Sequence, residues 1–348
     1  MSVKPDDPDK IISGSVDLVY SLNGGISWNF TQNSHVDNHI VVFDRDNPNI
    51  LYVGNDGGIY AYDFSTINFN FSDLNNGYDV TQYYAGAHFP TGTDCFGGTQ
   101  DNGTHASRSG NSLFDIIYWG DGAFTQINQQ NPNISFVSWQ YGHILRADNS
   151  LNTFPSFYDV LNDLDANFNG DVDDDAWFIN PFEINRNDGD QLYFVTKKRI
   201  WRTTNGALIW TPLTNIITDT IAGTKPYAIG ISNNLNPTVY IGGQNMLFYR
   251  VDNASTASPG DEVDLSSSIP PNLSGSFISN ITVHPGNDSV IYAALSNYST
   301  EPRIYRIINA NSGSPTWIDI SGDLPSYLPV NWIEVHPQNP DSFLIAAT

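Results

Sequence analysis

The feature that most constrains the fold is a repeat that runs along the whole chain. Eight polar corners, most of them carrying Pro or Asn, each follow one short apolar segment and precede another, as in "VVFDRDNPNILYVGN", "QINQQNPNISFVSW" and "EVHPQNPDSFLIAAT". The corners are spaced by about 40 to 56 residues, a period typical of repeat architectures. The sequence therefore predicts a series of similar supersecondary units.

Each unit is predicted to consist of short β-strands. The apolar segments are rich in β-branched and aromatic residues, and Pro and Asn mark the corners between them, as strand and turn chemistry requires. No segment shows a sustained helical period. Four short strands per unit at this spacing predict the blades of a β-propeller. We therefore expect an all-β fold, with residues 1–348 forming a single propeller domain.

The two ends of the chain determine the number of blades. "LVYSLNGGISWNF" reads as the last two strands of a unit, and "PVNWIEVHPQNPDSFLIAAT" reads as the first two. Pairing of these N- and C-terminal strands would close seven four-stranded blades and remove exposed sheet edges. One alternative stays open, because "KIISGS" competes with "SFLIAAT" for the second-strand position. The chain can also be a segment of a longer multi-domain protein.

Composition excludes several classes of partner. The formal net charge is −23, with 14 Lys and Arg against 37 Asp and Glu, so the basic surface that nucleic acids require is missing. No apolar stretch is long enough for membrane insertion, and Cys95 stands alone. We expect a monomer that binds neither nucleic acid nor membrane. The acidic, Asn-rich composition favours an extracellular or cell-surface location, with any export signal outside this sequence.

A second motif supports the propeller interpretation. "SLNGGISW" (residues 21–28) and "TTNGALIW" (residues 203–210) share the pattern S/T-x-D/N-x-G/A-x-x-W at the same place in the repeat. An Asx side chain can close such a turn, and we expect the Trp to pack between neighbouring blades. With these motifs the chain resembles the Asp-box (BNR-repeat) β-propeller superfamily of secreted bacterial type, which includes xyloglucanase-like glycoside hydrolases, sialidases and sortilin-like receptors. The resemblance implies a fold more than a function.

Four polar clusters are predicted to lie on one face of the propeller. In a blade, the turns between second and third strands and the connections to the next blade share one face, and "GNDGG", "TQDNG", "HVDNH" and "WGDG" occupy such positions. The alternative is that each is an ordinary Asx-Gly turn. The candidate catalytic residues are Asp56, Asp101 and Asp121. The candidate substrate-binding residues are His35, His39, Asn55, Gln100, Asn102 and Trp119.

Two segments could bind metal. In "HVDNH", His35, Asp37 and His39 alternate, so they could project together from an extended strand, as transition-metal ligands or as substrate-binding groups. "DANFNGDVDDDAW" resembles the start of a calcium loop but has Ala176 where a Glu is expected. Calcium is the only cofactor predicted, and no organic cofactor is expected. The candidate calcium ligands are Asp165, Asn167, Asn169, Asp171 and Asp173.

Two functions of different class remain. "ILYVGNDGGIYAYD" is similar to the xyloglucanase-like segment in which an acid on a D-x-G-G turn is catalytic, which implies a secreted glycoside hydrolase that acts on a neutral polysaccharide through paired aspartates, Asp56 among them. In that family the second acid comes from another propeller, so Asp101 or Asp121 would have to replace it. The alternative is a non-catalytic module that binds a glycan or a protein, in the manner of adhesins or sortilin. A sialidase is disfavoured, because the arginine-rich site for an anionic sugar is missing.

Overall fold

The computed structural model describes residues 1–65, 69–78, 80–110, 114–161, 176–217, 223–273, 275–298, 303–325, 327–342 and 344–348. Contacts divide the chain into two compact units: unit 1 is Met1–Gln82 with Thr99–Asn102, and unit 2 is Tyr83–Gly98 with Gly103–Thr348. The described strands form seven four-stranded sheets and one two-stranded sheet. The predicted all-β propeller of seven four-stranded blades is confirmed.

Unit 1 holds two blades. The strands are β1 (Ser2–Lys4), β2 (Asp7–Gly14), β3 (Leu18–Ser21), β4 (Asn29–Phe30), β5 (Asn38–Phe43), β6 (Ile50–Asn55), β7 (Gly58–Asp63) and β8 (Phe71–Asp73). Within each blade, neighbouring strands are consecutive in sequence and antiparallel. Leu18, Leu51 and Val53 are fully buried in the apolar core of this unit.

Unit 2 holds five blades and a final strand pair. Its first ten strands are β9 (Tyr83–His88), β10 (Cys95–Thr99), β11 (Gly103–Ser107), β12 (Phe114–Tyr118), β13 (Thr125–Ile127), β14 (Ser135–Ser138), β15 (Ile144–Ala147), β16 (Phe157–Asp159), β17 (Phe182–Ile184) and β18 (Leu192–Val195). The turn between β10 and β11 is the part counted with unit 1.

The remaining strands of unit 2 complete the repeat. They are β19 (Ile200–Thr203), β20 (Thr211–Pro212), β21 (Pro226–Ile231), β22 (Val239–Gly243), β23 (Phe248–Val251), β24 (Val263–Asp264), β25 (Ile278–Val283), β26 (Ile291–Leu295), β27 (Ile304–Ile308), β28 (Thr316–Asp319), β29 (Trp332–Val335) and β30 (Leu344–Ala347). Helical structure in the described ranges consists of four single 3₁₀ turns, Gln140–Gly142, Gln244–Met246, Ser266–Ser268 and Pro271–Leu273. No helix among the described residues has the length and hydropathy needed to span a bilayer.

The first blade is built from other strands than the sequence predicts. "KIISGS" lies in β2, and the three residues of β1 pair with it, so the N-terminal blade has four strands of its own. "SFLIAAT" contributes β30, which pairs with β29 in a separate two-stranded sheet. Each segment is therefore the second strand of its own sheet, and the described sheets contain no pairing of the N-terminal strands with the C-terminal ones, in contrast to the predicted closure. The competition between them came from the short and polar β1, which has little strand signal.

The Asp-box-like turns have the same hydrogen bonds in both copies. In the β3–β4 connection the Ser21 hydroxyl accepts from the Gly25 N–H at 2.9 Å, and Asn23 Oδ1 accepts from the Ser27 N–H at 2.9 Å. The β19–β20 connection repeats this set through Thr203 and Asn205, at 3.1 and 3.0 Å. The local geometry thus matches the turn that the motif predicts.

The tryptophans of these two turns differ in burial. Trp210 is 5% exposed, its indole Nε1 donates to the Val160 carbonyl at 2.8 Å, and its ring packs against Phe194. Trp28 is 42% exposed. The predicted packing of the Trp against a neighbouring blade therefore holds for Trp210 and is wrong for Trp28.

Candidate functional site

The turn between β6 and β7 carries the first candidate acid, Asp56. Gly58 has φ of +119°, and the Asn75 side chain fills the space that a Cβ at this position would need. Asn75 Oδ1 accepts from the Ile59 N–H at 2.8 Å, and its Nδ2 donates to the Gly57 carbonyl at 3.2 Å. The turn thus needs glycine, and the Asn75 amide helps to hold its conformation from outside.

A second turn, between β10 and β11, touches the first one. Asn102 Nδ2 donates to the Asp56 carbonyl at 3.2 Å, while a ring nitrogen of His35 lies 3.0 Å from the Asp101 carbonyl. A Cβ at Gly57 would lie 2.8 Å from the Cβ of His35, so the imidazole-bearing segment packs directly on the turn. Asp101 itself has φ of +62°. The structure therefore brings together His35, Asp56 and Asp101, as the sequence predicts, and we call these three residues with Asn102 the unit 1 turn cluster.

His39 contacts the candidate acid directly. Its Nε2 lies 2.5 Å from Asp56 Oδ1, and the His39 side chain is 70% exposed while that of Asp56 is 23% exposed. His35 faces the Asp101 carbonyl instead, and Asp37 between them has a left-handed backbone with φ of +57°. The expected alternating set of His35, Asp37 and His39 is therefore broken, since the two imidazoles have different partners. His39 also lies inside β5 rather than in the loop before it.

Asn55 and Gln100 support the turns that follow them. Asn55 Oδ1 accepts from the Gly57 N–H at 3.1 Å, and its Nδ2 donates to the Ser34 hydroxyl at 3.0 Å. The Gln100 N–H donates to the Gln82 carbonyl at 2.9 Å. The Asn55 side chain thus has a structural role, the Gln100 bond involves only the backbone, and the predicted contact of both residues with substrate stays a prediction.

The third candidate acid belongs to unit 2. Asp121 lies between β12 and β13 and is 7% exposed, and its N–H donates to Gln140 Oε1 at 3.2 Å. Trp119, two residues earlier, is 75% exposed. A Cβ at Gly120 would lie 3.3 Å from the Trp139 ring, so this connection packs on the segment between β14 and β15. Trp119 is thus available to a ligand, whereas the Asp121 side chain is enclosed.

The predicted calcium ligands Asp165, Asn167, Asn169, Asp171 and Asp173 lie outside the described residues. In the described part of the chain, no three His, Cys, Asp or Glu side chains are grouped closely enough to hold a metal ion. Calcium binding by the 165–177 segment stays a prediction.

Unit 2 contains a cavity that sequence reasoning missed. It has a volume of about 580 Å³ and is walled by the first strands of three blades, β9, β13 and β17, together with β29. A smaller cavity of about 70 Å³ adjoins it among β17, β21, β25 and β29. Both cavities are lined by Glu183, Arg186 and Glu334. We call the larger one the inner-strand cavity.

The cavity walls use one repeated position of the blade. Each of these first strands leads into a polar corner, and the last residue before that corner is apolar. The residue immediately N-terminal to this apolar residue lines a cavity. The residues at this position are His88, Gln126, Glu183, Gly230, Thr282 and Glu334. The signal was present in the corner segments themselves, but it is visible only when the corners are aligned with one another.

Burial changes the acidity of the two glutamates. Loss of solvation raises the pKa of Glu183 to about 7; the positive charge of Arg186 opposes this rise, and the negative charge of Glu334 reinforces it. Gln126 Nε2 donates to the Glu183 carboxylate at 3.2 Å. Partial loss of solvation also raises the pKa of Glu334, whose side chain stays 48% exposed, although Arg186 Nη2 lies 3.7 Å from its carboxylate and opposes the shift. The cavity therefore holds a carboxyl group that titrates near neutral pH.

Comparisons with known proteins agree on the fold. No family model matches the chain, and no curated protein matches it in sequence. Among solved structures, it is similar to YCF48 from Cyanidioschyzon merolae (13% identity, 86% of this chain and 89% of that one, TM-score 0.54). It is also similar to the GH74 xyloglucanase from Xanthomonas campestris (13% identity, 86% of this chain and 49% of that one, TM-score 0.55). The β-propeller domain of Myceliophteria thermophila Cps50 (Swd1) is similar as well (13% identity, 91% of this chain and 94% of that one, TM-score 0.52). The chain spans about half the length of the xyloglucanase, and at these identities the likeness supports the propeller fold alone.

Proposed function

We propose that this chain is a carbohydrate-active β-propeller of glycoside hydrolase type, which acts on a neutral polysaccharide through the unit 1 turn cluster. The observation that carries the proposal is the direct contact between the two acid-bearing turns, through Asn102 and the Asp56 carbonyl at 3.2 Å. It places Asp56 and Asp101, which come from different blades, on adjoining turns. Hydrolysis of a glycosidic bond generally requires such a pair of carboxyl groups.

The contacts of Asp56 suit the group that acts as base. A general base must be ionised and within reach of the water it activates. His39 lies 2.5 Å from the Asp56 carboxylate and can donate a hydrogen bond to it, while 23% of the Asp56 side chain stays exposed. Asp101, on the opposing turn, would then be the acid that protonates the leaving oxygen. A GH74 xyloglucanase is among the proteins that share this fold, so a propeller can carry such an activity.

Reducing-end release from neutral plant and algal polysaccharides tests this proposal. We expect wild-type turnover on at least one glycan, and a loss of about 10² or more in kcat for Asp56→Asn and Asp101→Asn, with glycan binding retained. Asp46→Asn is the matched control, because Asp46 is an exposed aspartate in the β5–β6 corner, at the other end of the same strands. Absence of turnover on all glycans, or full activity of Asp56→Asn, would contradict the hydrolase proposal.

A non-catalytic binding module is the second candidate, favoured by exposed aromatic side chains in unit 2. Trp119 is 75% exposed and Tyr141 is 50% exposed, and the connection that carries Trp119 packs on the segment before Tyr141. Exposed rings on adjoining loops can stack on sugar faces or anchor a protein partner. Glycan binding without turnover, weakened about tenfold in Trp119→Ala, would favour this candidate.

The proposed setting of either function is extracellular or at the cell surface. The charge of −23 makes the surface repulsive to anionic polymers, so a neutral glycan is the better partner. Calcium held by the 165–177 segment is part of the same proposal. It is tested by calcium titration of the wild-type chain and of Asp165→Asn, for which we expect weaker binding.

A further inference from the structure

We propose that the inner-strand cavity of unit 2 is a binding site for an organic cation, a guanidinium or primary ammonium group on a short alkyl chain, held by Glu183 and Glu334. This site is separate from the unit 1 turn cluster and needs none of its residues. Its volume of about 580 Å³ lies within the range of small-molecule pockets. The proposal rests on the charge balance and on the shape of the cavity.

The charges that line the cavity leave one carboxylate without a cation of its own. Arg186 is the guanidinium beside the two glutamates, and its Nη2 lies 3.7 Å from Glu334. The Glu183 carboxylate instead accepts a hydrogen bond from the neutral amide of Gln126 at 3.2 Å. A buried carboxylate is stabilised far more by a cation than by an amide. A ligand cation beside Glu183 would complete a set of two carboxylates and two cations.

The apolar part of the wall suits the alkyl portion of such a ligand. Phe124, which precedes β13, and Trp332 of β29 line the cavity, with ring centroids 6.0 Å apart. Tyr83 and Tyr84 of β9 line it as well. Aromatic faces attract cations and pack against methylene groups, so they would favour a guanidinium or alkylammonium over a hydrated metal ion. The net charge of −23 would also raise the local concentration of cations.

Binding should depend on pH because Glu183 titrates near neutrality. The groups that face it are Arg186, Glu334 and Gln126, and His88 contributes to the field at Glu334. With a pKa of about 7, Glu183 is about one-tenth ionised at pH 6 and about nine-tenths ionised at pH 8. If the cation binds the ionised form, the affinity rises about tenfold between these two pH values, and binding at pH 7 releases about half a proton.

Calorimetric titration of the full chain with n-butylguanidinium tests the proposal, with neutral n-butylurea as the isosteric control. We expect saturable binding at pH 8, about tenfold weaker binding at pH 6, and at least about tenfold weaker binding of the urea. Repeating the titration in two buffers of different ionisation enthalpy gives the proton release independently of any variant. n-Butylammonium should behave like the guanidinium.

Two variants locate the site. Glu183→Gln should weaken guanidinium binding at pH 8 at least about tenfold and remove its pH dependence, while Asp46→Asn in unit 1 should change neither. Equal affinity for the cation and the urea, no binding of either cation, or wild-type binding by Glu183→Gln would each overturn the proposal. The experiment involves no glycan, so its result is independent of whether the turn cluster hydrolyses polysaccharides.

Discussion

Replacing Glu183 with glutamine should make the stability of the protein less sensitive to pH. The wild-type carboxyl has a pKa of about 7 in the folded chain against an ordinary value of 4.5. Because the folded state keeps this proton over a pH range in which the unfolded chain has released it, the free energy of unfolding falls as pH rises from about 4.5 to 7. The amide of the Glu183→Gln variant has no proton to release in this range, so the variant lacks this fall.

The size of the effect follows from the shift. A difference of about 2.5 pKa units corresponds to about 3 kcal/mol at about 1.36 kcal/mol per unit. Relative to wild type, Glu183→Gln should therefore gain up to about 3 kcal/mol of unfolding free energy between pH 4.5 and pH 8. Since the charge of Glu334 contributes to the shift, Glu334→Gln should lower the pKa of Glu183. The unfolding free energy of this variant should then fall less with rising pH than that of wild type.

Urea unfolding followed by tryptophan fluorescence at about pH 4.5, 6, 7 and 8 measures this difference. Glu262→Gln, which alters a glutamate outside both cavities, reports the effect of removing one carboxyl elsewhere. If the unfolding free energies of Glu183→Gln and wild type differ by the same amount at every pH in this range, the argument is refuted. It would mean that solvent or Arg186 already compensates the Glu183 charge in full.

Three further substitutions test the turns. Gly58→Ala places a Cβ on a residue with φ of +119° and against the Asn75 side chain. We therefore expect urea titration to show a loss of about 2 kcal/mol or more in unfolding free energy. A loss below about 0.5 kcal/mol would show that the turn relaxes freely. Trp210→Phe should lower the unfolding free energy by about 1–3 kcal/mol, because the Val160 carbonyl loses its hydrogen-bond donor. Trp28→Phe should change it by less than about 0.5 kcal/mol, because Trp28 is 42% exposed. Equal losses of unfolding free energy would contradict the difference in burial.

Local chemistry made the blades predictable. A corner such as "DRDNPN" combines a residue that caps a turn with a Pro that ends a strand, and the flanking residues alternate between the two faces of a sheet. The same logic located the turns at Asp56 and Asp101, because Asx-Gly pairs lie where a second strand meets a third. What it could not supply is burial, since Trp28 and Trp210 belong to similar motifs but lie in different surroundings.

The inner-strand cavity was missed for a different reason. Glu183 and Glu334 lie far apart in the chain, and neither belongs to a local cluster of polar residues. Their proximity depends on how the first strands of several blades converge, which is a property of packing rather than of any one segment. The first blade was counted differently for a related reason, since β1 has three residues and gains its strand conformation only by pairing with β2.

The repeated position on the first strands gives this protein a way to change its cavity without changing its fold. His88, Gln126, Glu183, Thr282 and Glu334 differ in size and charge, yet each lies in a first strand whose place in its sheet is set by backbone pairing rather than by that side chain. One substitution per blade could thus give the interior a different lining and a different ligand preference. Gly230 is the exception, because a Cβ there would lie 2.7 Å from the Ile281 carbonyl and would push β25 away.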